Sequence, residues 1–558
     1  MARSFGACLR QVRSVSIQMS RRVHELAVLL ATSPGTVVTS AQRTVAQRTG
    51  AVGVLLIVTG VLLVSALEAY STPFWHDEMY TAILSQLPDS QALSRALSDG
   101  VDGNPPLFYY LTRFSRVLIP DDHLAYRTPS IAGFLLVLVC IYAIVSTRVD
   151  RLSALAASSL LLALPVASYA YEARPYTPMV ACVCCAVLAW QRVGHGHRNE
   201  WALGIGLAGA LSFHYYAALA WPAFIAAECA RWYVRKTCRP RVWVALCLGA
   251  LPLVLFRDHL ATLREVYGQN LWAPPSPVQV ITGSDWLFGV RHLGFVLVIG
   301  IATGIAYRIV SLRSPPQRLN TSTFAKNTAE RWTGITEEEV LTLGLLAVPA
   351  IGVTVATIMG GDLDPRYMLT AVVGGAIGLG LLLGSAVAPI RWFVLFASLG
   401  AYALRVPGPA SELLAGTLAQ RTVVAAQLLE TTIRKHTNLG VPIVVSDGLQ
   451  YLPLTRYIAP DLRHDLYAVV DPTSAVDYVG SDSVDRNLQL LRGYVPLQIV
   501  DYADFASAHR SFLMVSSGER FDWLPTRLVR DGHDVTLVAN ENGAHIYRVA
   551  FVPSDPVR

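Results

Sequence analysis

Repeated apolar segments, each long enough to cross or nearly cross a lipid bilayer, constrain this sequence most. The first, 51–70, has about the 20 residues that span the hydrocarbon core. Ten more follow, at 129–147, 152–170, 176–191, 201–214, 216–230, 242–256, 292–310, 339–359, 367–388 and 392–406. Only 15% of the residues are charged, against about 25% in soluble domains. The sequence therefore predicts a polytopic α-helical membrane protein of about eleven transmembrane helices, and it excludes ordinary soluble, disordered and fibrous proteins.

Charge predicts the orientation of these segments. Residues 1–50 form a basic tail with seven arginines and one acidic residue, Glu25. Basic flanks stay on the cytoplasmic side of a membrane, and Lys and Arg are in excess in the other loops that this orientation places inside. We therefore expect a multi-pass protein of the plasma or inner membrane. Its N-terminus is cytoplasmic, its transmembrane domain is 51–406, and a long first outer loop spans 71–128.

The chain changes character after residue 406. A helical stretch at 411–436 precedes short apolar strands at 441–446, 466–470, 512–516 and 534–539. Eleven spans place this region, 407–558, outside the cytoplasm as an α/β domain. It contains no glycine-rich phosphate-binding motif, so we predict no cofactor and no nucleic-acid partner.

The first outer loop begins with an acidic pair, Asp77 and Glu78, flanked by aromatic residues. Aromatic side chains favour the membrane–water interface. A carboxylate at that depth is placed to deprotonate an acceptor hydroxyl while the lipid part of a substrate stays in the bilayer. Alternatively, Asp77 only caps the following helix, because Asp is a favoured N-cap residue.

Further along this loop, Asn104 and Pro105 precede an aromatic stretch that includes Tyr109. Proline at a helix start and an aromatic face predict a helix along the interface. Arg127 follows at the mouth of the second span, where it either contacts substrate or reaches lipid phosphates.

Three later outer turns carry further candidate groups. Glu172, Arg174 and Tyr176 lie between two apolar spans, where charges favour a functional site; the alternative is a local Glu172–Arg174 ion pair. The other two turns contain His214 and Tyr215, and Arg366 and Tyr367. Asp362 and Asp364 precede Arg366, but two carboxylates are too few to predict a metal site. A divalent cation is therefore unsupported.

These motifs, in this order and on one side of the membrane, resemble the integral-membrane glycosyltransferases of the GT-C fold, and within them the protein O-mannosyltransferase and aminoarabinose transferase group. The resemblance covers about residues 50–465. It rests on Asp77-Glu78, Pro105–Tyr110, Arg127-Thr128-Pro129-Ser130, Glu172-Ala173-Arg174-Pro175-Tyr176, His214-Tyr215-Tyr216, Arg366-Tyr367 and the stretch 447–460.

The resemblance implies a polyprenyl-phosphate-sugar donor, a reaction site on the outer face, and a glycan, lipid or protein hydroxyl as acceptor. By analogy Asp77 is the general base and Glu78 helps to position a substrate. Arg127, Arg174 and Arg366 are candidates to neutralise the leaving phosphate, with the last two preferred. Many relatives have His where this chain has Asn104, which puts a proton-transfer role there in doubt.

Two other function classes remain open at this point. A flippase or transporter of lipid-linked sugars explains charges near the membrane, but it does not explain the long outer loop with its acidic pair. Transporters also often contain internal repeats, and this sequence shows none. A non-catalytic membrane scaffold is the third possibility.

Overall fold

The computed structural model describes residues 40–194, 198–289, 294–311, 336–405, 421–436, 440–541 and 544–552. Most of the basic tail and the first part of the stretch 411–436 lie outside this part of the chain. The membrane part contains eighteen α-helices among the described residues. They are α1 Ser40–Ser71, α2 His76–Gln86, α3 Ser90–Ser98, α4 Leu107–Leu118, α5 Asp122–Ser146, α6 Arg151–Ala163, α7 Tyr176–Gln191, α8 Arg198–Phe213, α9 Trp221–Arg235, α10 Pro240–Gly249, α11 Leu251–Leu255, α12 Arg257–Tyr267, α13 Gln279–Leu287, α14 Gly294–Ser311, α15 Glu337–Leu346, α16 Val348–Met359, α17 Ala371–Leu383 and α18 Ala388–Ala403.

Two helices in the described residues are long and apolar enough to cross a membrane unbroken, Thr49–Ser71 and Asp122–Ser146. Three bent helix pairs raise this number to five if each pair is one span. Their bends are 72° after α6, 56° between α11 and α12, and 57° between α15 and α16. Prolines at 165 and 349 follow two of the breaks. Proline interrupts helical hydrogen bonding, which accounts for these two bends. The prediction of about eleven full-length spans is therefore not confirmed as a count.

The predicted long outer loop is itself helical. It folds into α2, α3 and α4, and the first residues of α5 also fall within it. The helix expected after Pro105 is present as α4. Phe114, Val117 and Leu118 on α4 are each more than half exposed, while Phe108 and Tyr109 are buried. One face of α4 thus packs on the protein and the other is apolar and uncovered.

The C-terminal region is an α/β domain, as predicted, built on a six-stranded sheet of order β3-β2-β1-β4-β6-β5. Strands β1 to β4 are parallel, and β6 pairs antiparallel with β4 and β5. The strands are β1 Ile443–Val445, β2 Leu466–Val470, β3 Ile499–Asp501, β4 Ser511–Ser516, β5 Asp534–Glu541 and β6 Ala544–Ala550. The helices are α19 Arg421–His436, α20 Gly448–Tyr457, α21 Pro460–Arg463, α22 Pro472–Val479, α23 Ser483–Leu491, α24 Tyr502–Ala508 and α25 Leu524–Arg530. The sequence analysis found four of these strands and missed β3 and β6.

The α/β domain packs directly on the segment 71–128. Helix α20 contacts α2, and its Tyr451 and Leu452 belong to one buried apolar cluster with residues of α2 and α3. The Phe74 N–H also donates a hydrogen bond to the Tyr457 hydroxyl, 2.7 Å away. The helix that carries the acidic pair is therefore held between the membrane helices and the α/β domain.

Candidate active site

The N-terminus of α2 determines where the acidic pair points. Trp75 is the N-cap residue, and its N–H donates to Glu78 Oε2 at 3.3 Å, so Glu78 supplies the reciprocal contact of a capping box. Asp77 lies inside the first turn and is not the N-cap. The alternative in which Asp77 merely caps the helix is therefore wrong.

Asp77 forms an ion pair with a residue from the turn before α17. Arg366 Nη1 lies 2.8 Å from Asp77 Oδ2, and neither side chain is more than 20% exposed. The Arg366 guanidinium also lies 5.7, 5.4 and 5.6 Å from the ring centroids of Trp75, Trp272 and Tyr367. Cations favour the faces of aromatic rings, so three rings hold this arginine together with the carboxylates of Asp77 and Asp364.

A second arginine approaches Asp77 from the turn before α7. Arg174 Nη1 donates to the Asp77 backbone carbonyl at 3.0 Å and to Asp102 Oδ2 at 3.2 Å. Asp102 also accepts hydrogen bonds from Asn104 Nδ2, at 2.9 Å, and from the Tyr109 hydroxyl, at 2.7 Å. Three predicted site residues thus meet on a carboxylate that the sequence analysis missed. Asp102 lies two residues before Asn104, and this closeness in the sequence was the signal that could have identified it.

Two guanidiniums set the ionisation of Asp77. Burial raises the pKa of its carboxyl, but the nearby charges of Arg366 and Arg174 outweigh burial and hold the pKa below its usual value. Asp77 is therefore ionised at neutral pH.

Glu172 has the opposite environment. Within the described residues it pairs with no arginine, and its Oε2 is buried without a hydrogen-bond partner. Burial, reinforced by the charges of Glu78 and Asp77, raises the pKa of this carboxyl to about 8. Arg174 pairs with Asp102 instead, so the alternative of a local Glu172–Arg174 ion pair is wrong.

Glu78 and Arg127 form a fully buried pair beneath this site. Arg127 Nε and Nη2 each lie 2.7 Å from one oxygen of Glu78, and both side chains are 1% exposed. Arg127 Nη1 donates to the carbonyls of Ala69 and Thr72, at 2.6 and 2.7 Å. Glu78 Oε1 also accepts from the Ala173 N–H at 2.5 Å. This pair joins the end of α1, the start of α2, the start of α5 and the turn before α7.

His214 lies in an aromatic cluster beside the charged groups. Its Nδ1 accepts the Tyr216 N–H at 3.2 Å, and its ring centroid lies 5.4 Å from Tyr176 and 5.2 Å from Tyr367. Because Tyr367 is also one of the rings around Arg366, four predicted residues of three different turns meet here.

Tyr215 reaches the same network through a residue that the sequence analysis missed. Its hydroxyl lies 2.8 Å from His259 Nδ1, and His259 Nε2 lies 3.0 Å from the Asp102 carbonyl. A carbonyl only accepts hydrogen bonds, so Nε2 carries the proton and Nδ1 accepts from Tyr215. Nothing in the sequence around His259 marks it.

The two remaining acidic candidates serve the turn that carries Arg366. Asp364 Oδ1 accepts the Arg366 N–H at 3.0 Å and lies 3.4 Å from its Nε. Asp362 Oδ1 accepts the Ala273 N–H at 2.7 Å, and burial raises its pKa to about 6. The part of the chain that the structure describes contains no group of three or more residues that could hold a metal ion.

Comparison with known proteins gives two kinds of match. Residues 103–260 match the family described as dolichyl-phosphate-mannose-protein mannosyltransferase. This segment holds Asn104, Arg127, Glu172, Arg174 and His214, but neither the acidic pair nor Arg366. No curated protein sequence matches the chain.

Solved structures match nearly the whole chain. ArnT from Cupriavidus metallidurans bound to undecaprenyl phosphate has a TM-score of 0.52 at 12% identity, over 88% of this chain and 97% of that one. Apo ArnT from the same organism has a TM-score of 0.53 at 12% identity, over 89% and 98%. The predicted resemblance is confirmed: this chain has the GT-C fold of an integral-membrane protein, and it is similar to ArnT and to the mannosyltransferase family.

Proposed function

We propose that this protein transfers a sugar from a polyprenyl-phosphate-sugar donor to a hydroxyl acceptor at the outer face of the membrane. One observation carries the proposal: the ionised Asp77 carboxylate, at the mouth of a membrane-spanning helix, contacts Arg366, and Arg174 contacts the backbone carbonyl of the same residue. A base and a pair of phosphate-binding cations are what this transfer needs. The acceptor is a glycan, a lipid or a protein.

Asp77 is the general base of the proposed reaction. It accepts the proton of the acceptor hydroxyl while the acceptor oxygen forms a bond to the anomeric carbon. The bond from that carbon to the phosphate oxygen breaks on the opposite side, and its electron pair stays on the phosphate. A single displacement of this kind inverts the anomeric configuration.

Arg366 and Arg174 stabilise the negative charge of the leaving phosphate, because charge-assisted contacts from guanidiniums to phosphate are strong and directional. A donor phosphate that contacts Arg366 also weakens the Asp77–Arg366 ion pair. The pKa of Asp77 then rises toward its ordinary value, so donor binding makes Asp77 a better base.

The burial of Glu78 and Arg127 favours a supporting role for both. Each Arg127 nitrogen already donates to Glu78 or to a backbone carbonyl, which leaves Arg174 and Arg366 to bind phosphate. Glu78 positions Asp77 by fixing the first turn of α2. The neutral Glu172 carboxyl and the Tyr176–His214–Tyr367 cluster form a wall beside the sugar.

Two findings on other proteins support the donor class. The matched family is described by a lipid-phosphate mannose donor, and the ArnT structure holds undecaprenyl phosphate. We also propose the predicted orientation, with the N-terminus cytoplasmic, the α/β domain outside and the site at the outer face of the plasma membrane.

Donor turnover in nanodiscs tests the proposal. Wild type, Asp77→Asn and the exposed control Asp258→Asn are incubated with a panel of polyprenyl-phosphate sugars and a membrane extract as acceptor. We expect wild type and control to release polyprenyl phosphate at the same rate, and Asp77→Asn to release it about 10²- to 10⁴-fold more slowly. Turnover that survives in Asp77→Asn overturns the assigned base. Absence of turnover with every donor, in a folded protein that still binds acceptor, favours transport or a scaffold.

A further inference from the structure

The sheet of the α/β domain reverses its winding direction between β1 and β4. From β1 the chain continues to β2 and then β3 on one side, whereas β4 pairs with the other edge of β1. These four strands are parallel, so their carboxyl ends share one edge. In open α/β sheets, ligands bind outside the carboxyl ends of the strands at this reversal point.

Polar side chains line this place, here called the switch-point crevice and defined by Ser446, Asp447, Ser516, Ser517 and Asp522. The Ser517 hydroxyl donates to Asp447 Oδ2 at 2.6 Å, and the Ser516 hydroxyl donates to Asp522 Oδ2 at 2.5 Å. Ser446 donates across to the Val515 carbonyl at 3.1 Å. The crevice therefore presents carboxylates and hydroxyls from two neighbouring strands.

Two buried atoms at this place have no hydrogen-bond partner within the described protein: Asp522 Oδ1 and, on the facing helix α2, His76 Nδ1. His76 is 5% exposed. Its helix, α2, packs against α20, the helix that Asp447 caps. Burial lowers the pKa of the His76 imidazole, and the charges of Asp77 and Asp447 raise it. Buried polar atoms normally have partners, so both atoms point to a polar ligand.

The crevice adjoins the candidate active site. Arg520, in the loop that follows β4, donates from Nη2 to the Trp272 carbonyl at 3.0 Å. The Trp272 ring lies 5.4 Å from the Arg366 guanidinium, and His76 immediately precedes Asp77. The loop after β4 is therefore held against a residue that contributes a ring to Arg366, and the first turn of α2 carries both His76 and the proposed base.

We propose that the switch-point crevice binds the neutral, hydroxyl-rich saccharide part of the acceptor; this rests on the proposed function. Ser517 and Asp522, which are partly exposed, form hydrogen bonds with sugar hydroxyls, and the negative charge of Asp522 and of the buried Asp447 disfavours phosphate. Arg174 and Arg366 favour phosphate. This division of charge places the lipid phosphate beside the arginines and an uncharged glycan beneath the α/β domain.

Saturation-transfer NMR on the full chain in nanodiscs tests the crevice without requiring turnover. The probes are methyl α-mannoside, maltose and mannose 6-phosphate. The variant is Ser517→Ala/Asp522→Asn, and the matched control is the exposed pair Ser507→Ala/Asp504→Asn in the same domain. We expect both neutral saccharides to give signals that fall about fivefold in the variant alone, the effect of losing one hydrogen bond. Equal signals in variant and control, or a mannose 6-phosphate signal that falls in the variant as much as the signals of the neutral saccharides, overturn the proposal.

A kinetic measurement distinguishes an acceptor site from a site for the donor sugar. We expect the variant to raise the acceptor KM about fivefold and to leave the donor KM unchanged. A raised donor KM with an unchanged acceptor KM overturns the assignment to the acceptor. Saccharide binding without any donor turnover instead contradicts the proposed function, but it still supports the crevice as a saccharide-binding site. If the double variant unfolds at a lower temperature than the control, both measurements are repeated with Ser517→Ala alone.

Discussion

The Asp77 carboxylate and the Arg366 guanidinium lie 2.8 Å apart, although 289 residues separate them in the sequence. The pair joins the helix after the first span to the turn before α17. It also couples two proposed roles, because the charge that binds the donor phosphate is the charge that keeps the base ionised. Binding and basicity are therefore not independent in this site.

Replacing Arg366 with Gln should slow transfer and move its pH dependence. We expect donor turnover to fall about 10²-fold, the usual cost of losing one group that stabilises developing charge. Arg366 holds the pKa of Asp77 down, so its loss raises that pKa and shifts the acid limb of the rate profile to higher pH. Turnover of polyprenyl-phosphate sugar between pH 4 and 8 measures both effects.

Two variants make the Arg366 result specific. Arg366→Lys keeps the charge and should leave the acid limb near its wild-type position while it lowers the rate. Arg257→Gln removes a largely exposed arginine and should change neither. An acid limb in Arg366→Gln that coincides with wild type would contradict the coupling between these residues.

Breaking the Glu78–Arg127 pair should destabilise the protein rather than alter its specificity. Removing one partner leaves the other charged and buried, which typically costs about 3–5 kcal/mol. We therefore expect Glu78→Gln to lower the midpoint of thermal unfolding in detergent markedly. Arg492→Gln breaks the partly exposed pair with Asp501 and should shift the midpoint far less. Equal shifts in the two variants would be inconsistent with a structural role for Glu78.

The sequence pattern predicted which residues lie close together better than it predicted which of them pair. Motifs next to the apolar segments identified Asp77, Arg174 and Arg366, because charges beside such segments are rare. Which charges pair depends on how distant turns meet, so Glu78 with Arg127 and Arg174 with Asp102 were not foreseeable.

Hydropathy was least reliable on helix lengths and short strands. Proline breaks divided apolar stretches that hydropathy alone treated as single spans. Strand β3 has only three residues, too few for a periodic signal, and β6 was missed with it.

Glu172 should give the rate profile an alkaline limb. Its pKa of about 8 means that it is mostly neutral at pH 7 and becomes charged as the pH rises through that value. The new carboxylate lies near Asp77 and should repel the donor phosphate, so the donor KM should increase above pH 8. Glu172→Gln stays neutral at every pH and should abolish this increase. A donor KM that rises equally in wild type and variant would show that another group is responsible.

Asp485 should make the stability of the α/β domain depend on pH. Its carboxylate accepts the Asp471 N–H at 2.8 Å and the Trp523 indole N–H at 3.2 Å, yet burial raises its pKa to about 7. The folded state therefore holds a proton that the unfolded state loses above about pH 4. The contribution of Asp485 to the free energy of unfolding is therefore largest below about pH 4 and is lost as the pH rises through about 7.

Asp485→Asn removes this titration and keeps an oxygen that accepts both hydrogen bonds. Hydrogen–deuterium exchange of peptides from β2 and α23, corrected for the intrinsic effect of pH, measures the change. We expect wild type and the exposed control Asp504→Asn to lose protection between pH 5 and 8, whereas Asp485→Asn should lose much less. If protection in Asp485→Asn falls in parallel with the control, Asp485 is not the titrating group.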